Sequence, residues 1–328
     1  MSDVTRAAAD FVAAHREQAT QLGMTLAELT DSPEAFVEEL AHGLEGLMDR
    51  SHLATVRRVS PDIDLRLVVR KPLVTAVQAP LRESLRETSS ASAISLSQRL
   101  SQAPEPAIRA FALPALERSL GEDPERTWQQ LRRLGSRAGE WSEVDGMAPL
   151  WARGILAEPF RWAELEQLVY AQRSMERRIV GATLASMVHV LPTRRRDELI
   201  GDQNLRAYAL IRTLIGDAEP QVQKSLSWAV REWARIDADG TASLLREETA
   251  TAIERDDGHR AWVVRDALSS QPDDLATDLR GRLVSIRRDA SAPSTSIAAD
   301  QARAFNPVVG DADAAVAHQG DRFTRSHA

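Results

Sequence analysis

The feature that most constrains this chain is the spacing of its apolar residues. No run of alternating β-branched residues occurs, and no Asn-Gly or Asp-Gly turn is flanked by such runs. Apolar residues recur instead at spacings of three and four, in blocks of about twelve to eighteen. That spacing puts one apolar stripe on each helix and leaves no face for a sheet. Helix starts are marked between the blocks. Ser32-Pro33, Ser60-Pro61 and Asp123-Pro124 each read as an N-cap followed by proline at the first helical position. Asp217-Ala218-Glu219-Pro220 is another such start.

From about residue 105 the helical blocks come in pairs with a loose period of about 35–45 residues, the period of HEAT-like helical hairpins. The expected fold is therefore all-α: a HEAT-like repeat α-solenoid of paired antiparallel helices, whose concave face suits a long ligand. Three stretches are expected. Residues 1–60 read as an acidic helical N-terminal extension, residues 61–288 as the repeat domain, and residues 289–328 as a disordered tail. The tail begins in the small, polar run Ser291-Ala292-Pro293-Ser294-Thr295-Ser296.

Composition narrows the chemistry. The chain has no cysteine, which excludes disulfides, thiolate metal sites and thiol nucleophiles. Its histidines are scattered without metal-ligand spacing, so no metal and no cofactor are expected. No apolar run approaches the roughly 20 residues of a membrane span. The N-terminus has no basic segment leading into an apolar one. A cytoplasmic, monomeric protein with no membrane partner is expected. The net charge of −7 resides in residues 1–50, which carry ten acidic and three basic side chains; the rest is neutral overall. A neutral domain can still present one basic face.

Two helical blocks about eighty residues apart stand out. Trp141 and Asp145 lie one turn apart, and Lys224, Trp228, Arg231 and Arg235 follow at i, i+4, i+7 and i+11. Residues so spaced share a helix face. A stripe of cations around an indole suits a polyanion with apolar surface, and nucleic acid is the obvious candidate. Trp151, Trp162, Trp233 and Trp262 read as core or hairpin-packing residues by default.

These blocks and three further segments resemble the bacterial alkylpurine DNA glycosylases built from HEAT-like repeats, the AlkD type. Trp141-x-x-Val144-Asp145 is similar to that family's Trp-Asp-x-Val-Asp motif. Gln223-Lys224-x-Leu226-x-Trp228-x-Val230-Arg231-Glu232 is similar to its Gln-Lys-Ala-Ile-Gly-Trp-x-Leu-Arg-Glu. Met175-Glu176-Arg177-Arg178 stands where the family has Trp-x-x-Arg. Pro104–Ala112 and Gln78-Ala79-Pro80-Leu81-Arg82 are weaker echoes.

The resemblance implies a DNA repair glycosylase that hydrolyses the N-glycosidic bond of N3- or N7-alkylated purines in double-stranded DNA, in the cytoplasm and on the nucleoid when bound. It implies a catalytic role for Asp145, lesion contacts from Trp141 and Trp228, and DNA-backbone contacts from Arg178 and Arg231. The stripe adds Lys224 and Arg235 to the backbone set. The only lysines are Lys71 and Lys224, and Lys224 sits in the stripe. A Schiff-base lyase needs a reactive lysine, so a monofunctional enzyme is expected.

The chain departs from the family pattern at Met175, at Leu67, where an early tyrosine is expected, and in its acidic helix at 3–21. The first two changes alter the lesion cleft and leave open two consequences, a bulkier adduct or reduced activity. Two alternatives stay open: a non-catalytic HEAT-like DNA-binding protein for distorted or branched duplex, and a HEAT-like protein-interaction scaffold.

Overall fold

A computed structural model describes residues 3–59 and 67–305. Among these residues every regular element is helical. The first compact unit, up to Arg161, holds α1 (Asp3–Ala27), α2 (Pro33–Gly46), α3 (Arg50–Val59), α4 (Lys71–Leu85), α5 (Ser90–Ser101), α6 (Pro106–Arg109), α7 (Ala112–Ser119), α8 (Pro124–Arg137) and α9 (Trp141–Ala157). The second, from Trp162, holds α10 (Trp162–Leu168), α11 (Ser174–Val190), α12 (Asp202–Leu214), α13 (Pro220–Trp233), α14 (Ala238–Glu254), α15 (Gly258–Ala267), α16 (Asp273–Arg282) and α17 (Ile297–Phe305).

Proline starts α2, α8 and α13 as the sequence signals require. Asp123 caps α8 by accepting from Arg126 N–H at 3.3 Å. The start expected at Ser60-Pro61 lies outside the described residues.

The helices of each unit stack on one another, the arrangement expected of an α-solenoid. In the first unit α1, α4, α7 and α9 form one row and α2, α5 and α8 the other. In the second, α11, α13 and α15 stack in one row, with α14 packed beside α15 and α16. Close approach in these rows requires residues without bulk. A Cβ on Gly23 would sit 2.3 Å from the Val77 carbonyl oxygen, so α1 meets α4 backbone to backbone. A Cβ on Gly181 would sit 2.7 Å from the Ser225 carbonyl carbon, and α11 meets α13 in the same manner.

One bracing device recurs. Arg109 donates through Nε and Nη2 to Glu143 (2.8 and 2.7 Å) and through Nη1 to the Ala103 and Pro104 carbonyls (3.0 and 2.6 Å). Arg177 donates through Nε to Asp217 (2.6 Å) and through Nη1 to the Ala171 and Gln172 carbonyls (both 2.8 Å). Each arginine reaches back six and five residues and forward to an acid at the start of a later helix. Charge-assisted bonds of this kind fix one helical hairpin to the next. The pattern Ala-x5-Arg at 103–109 and 171–177 is the sequence signal for it.

Two expectations change. The acidic helix at the N-terminus is not an appended element, because α1 packs along α4 with Ala19, Leu22 and Leu26 buried. Residues 289–305, read as the start of a disordered tail, are built into the second unit. Thr295 N–H donates to the Gly216 carbonyl (2.8 Å) and its hydroxyl to Asp257 (2.6 Å), while His259 donates to the Ala292 carbonyl (3.0 Å). Small polar side chains let this strap lie against Gly216, where a Cβ would meet Thr295 Oγ1 at 2.4 Å. The helix α17 that follows packs on α12. Residues 306–328 lie outside the described residues.

The tryptophans divide as expected for the core. Trp151, Trp162 and Trp233 are fully buried. Trp151 meets Trp128 edge to face at 4.7 Å between ring centroids, and the buried Arg161 lies over Trp128 at 4.6 Å. Trp262 is half-buried under Arg288.

Candidate nucleic-acid interface

In the first unit the site residues lie on the first turns of α9. Val144, Met147 and Ala148 face the core. Trp141, which is 45% exposed, and Asp145, which is half-buried, lie along the rim of that face, one turn apart. This corner is rigid. Glu143 accepts from Arg109 on one oxygen and from Gly139 N–H (2.9 Å) on the other, closing the turn that delivers Trp141.

Glu140, immediately before the helix, is a carboxyl the sequence reading passed over. Burial pushes its pKa up and the charge of Glu143 adds to this, against a hydrogen bond from Ser142 and the charge of Arg109. Its only sequence signal is its place before Trp141.

In the second unit the stripe lies on α13. The apolar residues Val222, Leu226, Ala229, Val230 and Trp233 are fully buried. Lys224 is exposed, and Trp228 and Arg231 are half-buried on the outward side. Arg231 pairs with Asp266 and also donates to Ser227 (3.3 Å). Trp228 Nε1 donates to Glu232 (3.2 Å).

Two expected backbone contacts are placed differently. Arg235 is exposed but lies past the end of α13, in the closing turn, where it pairs with Glu232 at 3.1 Å. Arg178 is only 5% exposed and donates to the Gln221 carbonyl at 2.6 Å. An arginine satisfied by the first turn of α13 holds that helix in place and leaves little guanidinium for phosphate. Met175, one turn earlier on α11, is half-buried, and Leu67 is buried.

Thus the structure gathers Trp141 with Asp145 on one helix face, and Lys224, Trp228 and Arg231 on another. It sets Arg178 apart as an internal brace. Among the described residues no cluster of three or more His, Asp or Glu could hold a metal ion, and no helix is long and apolar enough to cross a membrane.

The class this fold defines is that of all-helical proteins with the packing of an α-solenoid. Residues 40–270 match the model of the DNA alkylation repair enzyme family, and the chain belongs to that family. No curated protein and no solved structure matches. A role in DNA repair, with DNA as substrate, follows from the family.

Proposed function

We propose that the protein is a monofunctional glycosylase that removes cationic N3- or N7-alkylpurines from duplex DNA. The observation that carries this reading is the turn Trp141–Asp145, where a braced helix start places an exposed indole and a half-buried carboxylate one turn apart.

The chemistry suits those groups. An N3- or N7-alkylated purine is already positively charged, so it departs with the electrons of the C1′–N bond and needs no general acid. The deoxyribose is left with oxocarbenium character, and a water oxygen then bonds to C1′ and releases a proton. Asp145 stabilises the positive sugar and positions that water, as a carboxylate does in glycoside hydrolysis. Trp141 and Trp228 pack the lesioned nucleotide, with their faces favouring cationic character. Lys224 and Arg231 hold phosphates, with Arg235 at the end of the same stripe. Arg178 serves by fixing the start of α13. Lys71 and Lys224 are both surface residues, which supports base release without strand cleavage.

The test is Asp145→Asn on methylated duplex. Loss of base release with equal or tighter DNA binding supports the assignment, since the variant removes a negative charge near phosphate. Equal release by variant and parent removes Asp145 from the mechanism. Binding without release by the parent supports the second reading, a non-catalytic DNA binder, which the departures at Met175 and Leu67 favour.

A further inference from the structure

A tryptophan on the outward side of a helix is free to choose among rotamers unless something holds its ring. Trp228 is held. Its Nε1–H donates to Glu232 Oε1 at 3.2 Å, one turn along α13. Glu232 is itself buried, with 10% of its side chain exposed.

A buried carboxylate is costly unless its oxygens are partnered. Oε1 of Glu232 accepts from the indole, while Oε2 makes no hydrogen bond but lies 3.1 Å from Arg235 Nε and 2.9 Å from His189 Nε2, within reach of their charge. His189 ends α11 and Arg235 follows α13, so the carboxylate is flanked by basic side chains from two segments. Packing alone would be met by leucine or methionine at this position. A carboxylate set in this way fixes the plane of the half-exposed ring beside it.

We propose that Glu232 is a positioning residue that sets the indole of Trp228 for its contact with the lesioned nucleotide. The proposal rests on the glycosylase reading for its consequence in catalysis, but the geometry it describes is independent of that reading. Glutamine keeps an acceptor oxygen for the indole. Leucine keeps bulk and removes the acceptor.

The experiment compares wild type, Glu232→Gln and Glu232→Leu by the indole N–H resonance of Trp228, identified by its loss in Trp228→Phe, and by single-turnover base release. The expected result is a resonance little changed in Glu232→Gln and displaced in Glu232→Leu. Release should fall about tenfold only in the leucine variant, with duplex affinity unchanged; tenfold corresponds to about 1.4 kcal/mol in the barrier.

An undisplaced Trp228 resonance in Glu232→Leu overturns the proposal. If wild type releases no base, the glycosylase reading fails while the resonance still decides the role of Glu232. Should the leucine variant not fold, hydrogen exchange at Trp228 Nε1 in wild type decides: protection supports the proposal, and the rate of a free indole overturns it.

Discussion

The stacking of α11 on α13 holds the stripe of Lys224, Trp228 and Arg231, and Gly181→Ala is the sharpest perturbation of it. An added methyl would lie 2.4 Å from Ser225 Oγ and 2.7 Å from the Ser225 carbonyl carbon. The serine hydroxyl can rotate away, but the backbone of α13 cannot move without its neighbours. Overpacking of this kind costs about 1–3 kcal/mol. Alanine in a helix interior regains about 1 kcal/mol over glycine. The approach to the Ser225 backbone puts the cost at the upper end of that range, so the net expectation is a destabilisation of about 2 kcal/mol, or a melting temperature about 4–8 °C lower. Because α13 must yield, base release should fall further than stability alone explains, since small misplacements of positioning groups are costly. The control is Gly281→Ala near the end of α16, where an added Cβ meets nothing within 4 Å. That variant should gain about 0.5–1 kcal/mol from helix propensity. Thermal melting and single-turnover release on the two variants give the answer. A Gly181→Ala protein as stable and active as wild type would refute the close-packing argument.

Further outcomes are expected. Arg231→Ala should weaken duplex binding for all sequences and lower the salt slope by about 1. Asp266→Asn should tighten binding, because it releases Arg231 from its ion pair; both are read from affinity across a salt series. Asp49 should confer acid sensitivity. Burial works against its ionised form, but hydrogen bonds from Ser51 and Arg70, with further help from His52 N–H and the Arg70 charge, hold its pKa down at about 2. A depressed carboxylate stabilises the fold fully above its ordinary value of 3.8 and loses that contribution as pH falls towards 2. The stability gap between wild type and Asp49→Asn should therefore close over that window in urea unfolding.

Much of the architecture was legible because it is written in local signals. Proline after a capping residue marked α2, α8 and α13, and the three-and-four spacing marked a helical stack. The start of α3, Arg50–Val59, is marked by a side chain. Its signal is Asp49, which accepts from Ser51 and His52 N–H (2.9 and 3.2 Å) in the manner of an N-cap. On α13 the spacing placed Lys224, Trp228 and Arg231 on one side. It could not reveal that Arg178 turns inward, because that depends on the Gln221 carbonyl 43 residues away. The strap at 289–296 escaped for a related reason. Its Ser and Thr side chains look like those of a flexible tail, and only the partners at Gly216 and Asp257 show that they are satisfied in the fold.

The most direct test of the account is single-turnover release of free 7-methylguanine and 3-methyladenine from methylated duplex DNA. The account predicts release of the intact base by the wild-type protein, no strand cleavage, and loss of release in Asp145→Asn. Wild-type protein that binds the duplex in a salt-dependent manner yet frees neither these bases nor a bulkier N3 or N7 adduct would contradict it.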